Sequence, residues 1–599
     1  MPICAGRRPV QENAVSAAPR PPHDGPPAEP ARGGGRRELA VLAGLLVLLA
    51  VPRLVHLDAD PPPGLMLDYL TDEGWWAHNA RDHALFGRWI MDDHNEALFW
   101  APLYTGALRL MYAVTGVGLV PTRLLAALAG LATCAVVYGF VRASHGWKAA
   151  ALATLLLGTD YFFLTNNRVG YVESFQGVFM TAACLAVVAA GSRRGWAFAA
   201  GALVTASLMA KVSAVVLGGI VLVYWLAWLL LRSRSADEVP TFTWWRPVQV
   251  VTGAVAAAAL AYAVIQPDPA LLGAKTEQRT GMTTSHNPVL SLATLGLQLP
   301  NDRVVTSGFV TGSLPLLATA LVLAVRALAL RARPFDPLAL MCWCWLAAGS
   351  IQVGLLRLWQ PDRRYLFLVP PLAILAALEL ARSGRHDAER RVTRARLLAA
   401  AILIAIFVGF AARGPWSKWL HVHGGGMGPS PAAGIVWFVI AAGVLPFAWV
   451  SLRLAARRRW PSVPVAPLVL CYVALGLGPL AVYLAQPTWT MRAAAEAMTA
   501  LARELPPERR IAVGDFADTL GMESDLFTFV IRSWPEKNMF MNLDGWERFR
   551  PAIALDEGPP TVERADFERR TTLGLAPDHH GVPRRLIDVR VERRPGGGK

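Results

Sequence analysis

Between residues 38 and 485 the chain repeats long, continuous apolar runs, each near the ~20 residues that cross a bilayer as an α-helix. A soluble domain has no use for such a series, because its helices are apolar on one stripe and polar on the other. A membrane β-barrel is excluded too, since its strands alternate apolar and polar residues. Charged residues make up only 17% of the chain, against roughly 25% in soluble proteins. The fold class is therefore a polytopic α-helical membrane protein.

The formal net charge is +15. On a soluble protein that would suggest nucleic acid. Here the basic residues sit in short loops beside apolar runs, where they set orientation, and no nucleic-acid partner is expected. Of the six cysteines, Cys4 lies in the N-terminal tail, and Cys134, Cys184, Cys342, Cys344 and Cys471 lie in apolar runs. The hydrophilic segment after Pro487 has none, so no disulfide framework is expected there. Cys342-Trp343-Cys344 points its two thiols apart on a helix and has no His or Cys nearby, so it is not a metal motif.

The apolar runs cover approximately 38–56, 98–116, 120–142, 147–166, 171–191, 194–211, 213–231, 246–266, 308–330, 336–358, 365–382, 395–412, 433–453 and 463–485. Positive charge decides which of them cross. Arg32, Arg36 and Arg37 precede the first run, which puts the N-terminus in the cytoplasm. Segment 57–97 is acidic (Asp58, Asp60, Asp68, Asp72, Glu73, Asp82, Asp92, Asp93, Glu96) and belongs outside. If 98–116 crossed, the basic loops at 142–148, 193–194, 232–234, 326–333, 382–396 and 453–459 would all be external. If it does not cross, all of them are cytoplasmic. The expectation is thus about thirteen transmembrane helices, with 98–116 lying on or partly in the membrane surface. Its Pro102, Arg109 and two glycines suit that role.

Three regions follow. Residues 1–37, rich in Pro, Gly, Arg and Ala, are expected to be a disordered cytoplasmic tail. Residues 38–486 form the transmembrane domain, with 57–119 as its first external loop. Residues 487–599 form a small extracytoplasmic α/β domain: 490–505 has helical composition, and 511–515 and 586–591 read as strands. The protein is expected in the inner (plasma) membrane as a multi-pass protein.

This topology gathers charged residues at one leaflet. Asp72 and Glu73 lie in the first external loop, Arg168 and Glu173 flank the next external turn, and Lys211 ends a span. Arg363, Arg364 and Tyr365 open another. Ionised groups beside a bilayer are costly to desolvate and are kept mainly where they act. A carboxylate can take a proton from an acceptor hydroxyl, and cations can neutralise a phosphate leaving group. Plainer roles compete. Arg363 can anchor a helix end, Lys211 can snorkel to the interface, and Glu173 or Asp72 can cap a helix N-terminus. His78 reads as a surface or packing residue rather than a ligand. His421 and His423, beside Gly424-Gly425-Gly426, lack a nearby carboxylate for a metal site.

Asp72-Glu73-Gly74 with Ala77, Ala80 and Arg81, followed by Ala101-Pro102-Leu103-Tyr104, resembles the first external loop of GT-C glycosyltransferases. The closer groups are the protein O-mannosyltransferase-like and the aminoarabinose lipid A transferase-like enzymes, which are phospholipid carrier-dependent. Arg123-Leu124, Asn167-Arg168 with Glu173, Lys211, and Arg364-Tyr365-Leu366 with Pro370-Pro371 are similar to later elements of that pattern, in the same order. The resemblance covers roughly residues 38–382. Departures are Trp75-Trp76, Glu173 in place of the commoner Asp, and Ala101-Pro102 in place of Pro-Pro.

The resemblance implies a GT-C fold with membrane-parallel helices in the first loop. It also implies transfer of a sugar from a polyprenyl-phosphate-linked donor to a lipid, glycan or protein acceptor outside the cytoplasm, with inversion. Asp72 would be the general base and Glu73 its support. Glu173 would hold acceptor or sugar. Arg168, Lys211 and Arg364 would bind the donor phosphate, helped by Tyr365. No cofactor is implied, no metal cage stands out, and a divalent metal is left open. Two other readings compete: a transporter or lipid flippase, which would carry ionisable residues along mid-span paths, and a non-catalytic envelope-assembly protein of the same fold.

Overall fold

The computed structural model describes residues 34–61, 71–87, 89, 97–191, 194–232, 245–265, 313, 316, 336–355, 362–383, 465–514, 516–529, 550–557, 567–577 and 583–592. The runs at 395–412 and 433–453 lie outside these residues, as does 308–330 apart from Ser313 and Leu316. So do residues 1–33, the loop 267–307, and His421 and His423.

The apolar runs form helices α1 (Gly34–Leu54), α5 (Leu119–His145), α6 (Trp147–Thr159), α7 (Tyr161–Asn166), α8 (Val172–Ala189), α9 (Arg194–Ala210), α10 (Val216–Arg232) and α11 (Trp245–Ile265). Further along come α12 (Pro337–Leu355), α13 (Val369–Ser383) and α14 (Val465–Ala485). Among the described residues, three stretches are long and apolar enough to cross a membrane: Leu119–His145, Val172–Ala189 and Val212–Leu230. Their shared core is built from Tyr138, Leu157, Phe162, Leu185, Leu217, Trp345, Ile374 and their neighbours.

One expected span is not a single helix. The run 147–166 breaks at Asp160, between α6 and α7. A buried carboxylate needs partners, and Asp160 finds them by capping α7: it accepts from Phe163 N at 2.9 Å, Ser313 Oγ at 2.8 Å and Tyr472 Oη at 3.1 Å.

The loop that follows α1 forms α2 (Thr71–Phe86), α3 (Ala97–Trp100) and α4 (Pro102–Thr115). Proline at the start of α4 lacks only an N–H that a helix end leaves unpaired anyway. With 14 residues, α4 is about 21 Å long, short of the ~30 Å hydrocarbon core. Its inner face buries Tyr104, Leu108 and Tyr112 against Trp75, Trp76 and Trp100. Leu110 and Val114, one turn apart on its outer face, are 72% and 86% exposed. The helix is thus apolar on both faces, one packed inside the protein and one exposed.

The C-terminal region holds helix α15 (Thr490–Glu504) and strands β1 (Ile511–Gly514), β2 (Phe527–Phe529), β3 (Ile553–Glu557), β4 (Phe567–Pro577) and β5 (Pro583–Glu592). The sheet order is β2-β1-β3-β5-β4. β1 runs parallel to β2 and β3, whereas β5 is antiparallel to β3 and β4. Met491, Ala494, Met498 and Ala502 recur on one face of α15 and pack on Ile553, Leu555, Ile587 and Val589. The helix and the two strands expected here are all present. Asp60, from the loop that follows α1, caps α15 by accepting from Thr490 N at 3.0 Å and Met491 N at 2.8 Å. The sheet domain and the loop are therefore joined at their roots.

Candidate active site

Asp72 and Glu73 occupy the first turn of α2, and Glu173 the first turn of α8. A helix N-terminus carries unpaired N–H groups and partial positive charge, so a carboxylate is favoured there. Two such helix ends meet, and the cations Arg363 and Lys211 fill the space between them.

Arg363 comes from the 3-10 turn Asp362–Leu368 that leads into α13. It donates from Nη2 to Asp72 Oδ2 and from Nε to Glu173 Oε1, the latter at 3.1 Å. Its guanidinium also lies over the Tyr171 ring, 4.5 Å from the centroid. Burial opposes its charge, but the carboxylates of Asp72 and Glu173 outweigh burial and raise its pKa. Lys211 sits at the break after α9, in extended backbone before the turn Val212–Val215. Its Nζ donates to Glu173 Oε1 at 2.5 Å and stands 4.6 Å from the Trp76 ring centroid. Gln176 Nε2 holds the Lys211 carbonyl at 2.8 Å.

Glu73 is turned away into a separate pair. Arg123 grips it through Nε–Oε1 and Nη2–Oε2 contacts of 2.9 Å each. Gly170 N donates to the same Oε1 at 2.6 Å. A Cβ on Gly170 would meet the Thr122 side chain at 2.5 Å, so glycine is what lets this backbone reach Glu73. Arg123 Nη1 also binds the carbonyls of Leu57 and Ala59, at 3.0 and 2.6 Å. Glu73 is fully buried and Asp72 13% exposed. Of the two neighbours, Asp72 is the one that solvent or a ligand can reach.

Of the residues picked from sequence, Asp72, Glu173 and Lys211 are thus brought together. Tyr365 is buried in the same turn as Arg363, with its ring in the transmembrane core. Arg364 belongs to that turn too, but its side chain lies outside the described residues. Arg168 is not brought to the cluster. Its Nη1 binds the Pro52 carbonyl and its Nη2 the His56 carbonyl, at 2.9 Å for His56, at the end of α1. His78 does not join the cluster; it is buried between Asp82 and Asp518.

Read from sequence, Arg363 is a helix-end anchor and its neighbour Arg364 takes the phosphate role. Both are basic and adjacent, so the sequence alone does not separate them. It also gave no role to Trp76, Tyr171 and Gln176, which surround the cations. Trp76 lies four positions after Asp72, one helical turn along. That spacing was the available signal.

Residues 100–245 match the family model described as dolichyl-phosphate-mannose-protein mannosyltransferase. No curated protein sequence matches the chain. The fold is similar to the crystal structure of ArnT from Cupriavidus metallidurans bound to undecaprenyl phosphate. That likeness has 19% identity and a TM-score of 0.51, and covers 94% of this chain and 98% of that one. ArnT in the apo state matches with the same identity and TM-score, over 93% of this chain and 98% of that one. The archaeal oligosaccharyltransferase AglB from Archaeoglobus fulgidus, in complex with an inhibitory peptide and a dolichol-phosphate, gives 12% identity and a TM-score of 0.49. It covers 88% of this chain and 70% of that one. The chain has the GT-C glycosyltransferase fold, and over residues 100–245 it resembles the mannosyltransferases that use dolichyl-phosphate-mannose.

Proposed function

We propose that the protein is an integral membrane glycosyltransferase. It transfers a sugar from a polyprenyl-phosphate-linked donor to an acceptor hydroxyl at the extracytoplasmic face, with inversion at the anomeric carbon. The observation that carries this reading is the buried cluster in which Arg363 joins Asp72 to Glu173 and Lys211 joins Glu173. Two carboxylates and two cations at the mouths of two helices are the groups that base-assisted displacement of a phosphate requires. The undecaprenyl phosphate bound to ArnT supports a carrier of that chemistry here.

In the proposed step, Asp72 takes the acceptor proton as the acceptor oxygen bonds to the anomeric carbon. The bond from that carbon to the phosphate oxygen breaks, and its electron pair leaves on the polyprenyl phosphate. Lys211 and Arg363 neutralise that charge, with Arg364 and Tyr365 in the adjoining turn. Exchanging carboxylate partners for phosphate oxygens releases Asp72 from Arg363 when the donor arrives. Glu173 orients Lys211 and Arg363 and holds sugar or acceptor. Glu73, locked by Arg123, fixes the start of α2 in support of Asp72. Arg168 serves the site indirectly by fastening the end of α1.

The test is native mass spectrometry of the purified protein titrated with undecaprenyl phosphate. Saturable binding that weakens in Arg363→Ala is expected. Equal binding by wild type and variant would remove Arg363 from the donor site.

A further inference from the structure

Among the described residues, a buried polar cluster that the transfer chemistry does not use lies between α2 and the C-terminal domain. Gly74, His78, Arg81 and Asp82 recur along α2 at helical spacing, so they share the face turned to that domain. Residues 518–526 of the domain, which comprise most of the short helix Ala517–Leu520 and its link to β2, receive them.

Arg81 is buried and spends its guanidinium on that segment. Nε donates to the Met522 carbonyl at 3.0 Å. Nη2 faces the carbonyls of Gly521, Ser524 and Leu526 at 3.0, 2.8 and 2.6 Å. Nη1 donates to Asp82 at 2.9 Å. His78 is paired on both sides, with Nε2 2.9 Å from Asp82 and Nδ1 3.0 Å from Asp518. One turn earlier, Gly74 N donates to Thr519 Oγ1 at 3.1 Å. A Cβ on Gly74 would collide with the backbone of Asp518 and Thr519, so α2 and the domain touch main chain to main chain. Met522 completes the contact inside the aromatic cluster of Trp75, Trp76 and Tyr112.

Gly74 is two residues from Asp72, on the same rigid turn. We infer that segment 518–526 of the C-terminal domain is a positioning element of the active site, setting how α2 presents Asp72 to the cluster. The sheet domain is then part of the transferase machinery rather than a separate binding module. None of the clasp residues touches substrate; they act through α2. Small displacements of a reacting group weaken catalysis steeply, which is what a main-chain-to-main-chain contact guards against. The importance of Asp72's position rests on the reading given under Proposed function.

The test uses full-length Asp518→Asn and the milder Thr519→Ala, which removes only the hydroxyl that receives Gly74. Carbodiimide-driven amine labelling of Asp72 is read by peptide mass spectrometry, with Glu173 as internal reference. Amide exchange is followed over 71–86 and over 172–189. In Asp518→Asn the Asp72-to-Glu173 labelling ratio and exchange in 71–86 should both rise about tenfold, with 172–189 unchanged. Thr519→Ala should shift both in the same direction by less. Undecaprenyl phosphate binding should be retained, since Lys211 and Arg363 are untouched, and global loss of structure would abolish it. Folded variants with an unchanged labelling ratio and unchanged exchange would overturn the inference. Failure of wild type to bind undecaprenyl phosphate would instead strike at the donor reading and leave the clasp measurements standing.

Discussion

Arg363 donates to Asp72 across 291 positions of sequence and, through its other edge, to Glu173. One guanidinium so ties the N-terminus of α2 to that of α8. Its own charge is secured, because the two carboxylates more than offset the cost of burial. Asp72 is thereby oriented beside the cations that would receive a phosphate. The account of the site follows from this contact.

Asp72→Asn keeps the size of the side chain and removes its basicity. Transfer should fall by about 10²–10⁴-fold, the usual contribution of a positioned general base. The variant should still insert and elute as a single species. Turnover at the wild-type rate would take the base role from Asp72.

Lys211→Ala removes a cation but leaves Glu173 paired with Arg363. Affinity for undecaprenyl phosphate, read by native mass spectrometry or by quenching of the adjacent Trp76, should drop about tenfold or more, as expected for a charged hydrogen bond. Unchanged affinity would confine Lys211 to its ion pair with Glu173.

Arg123→Met leaves Glu73 charged, buried and without its forked partner. Breaking such a pair from one side costs about 3–5 kcal/mol, so the melting temperature in detergent should fall markedly. Arg123→Met with Glu73→Gln should recover part of the loss, because the stranded charge is gone. A double variant no more stable than the single one would contradict this account of the pair.

The clasp also has a pH signature. Burial alone would lower the His78 pKa, but Asp518 and Asp82 outweigh it and raise it from 6.5 to about 10. Burial alone would raise the Asp518 pKa, but His78 and the hydrogen bonds around it lower it from 3.8. A raised histidine pKa stabilises the fold fully below 6.5, and that contribution fades as pH climbs toward 10. A depressed aspartate pKa stabilises above 3.8, and that contribution fades as pH falls through the lowered value. Protection of 71–86, corrected for intrinsic exchange, should therefore be greatest between about pH 4 and 6.5 and decline toward pH 10. His78→Gln should flatten the alkaline decline; an identical decline in that variant would remove His78 as its cause.

Much of the architecture is legible in the residues. Run length and continuity give the helices among the described residues. The helix at 490–504 and strands β1 and β5 follow from ordinary periodicity. The break at Asp160 is harder to see, because a buried carboxylate in an apolar run reveals its helix cap only when Ser313 and Tyr472 are brought to it.

The site is legible in its carboxylates and less so in its cations. Asp72 and Glu73 stand out as adjacent carboxylates near the apolar runs, and Glu173 as a charge at the start of one. Arg363 and Arg364 are equivalent in sequence, so composition alone does not say that Arg363 pairs with Asp72. Arg168 has the right charge at the right end of a span, yet it closes the carbonyl end of α1. The clasp leaves no trace in sequence, since four of Arg81's five partners are main-chain carbonyls more than 400 positions away.

The most direct test of the central claim is mass spectrometry of lipids extracted from purified wild type and from Asp72→Asn. If Asp72 is the base of a transferase that uses a polyprenyl-phosphate donor, the variant binds donor without consuming it. A polyprenyl-phosphate sugar should then be enriched on the variant, and its mass would name the sugar class. If neither protein carries a polyprenyl lipid while other membrane lipids remain bound, the donor assignment is contradicted.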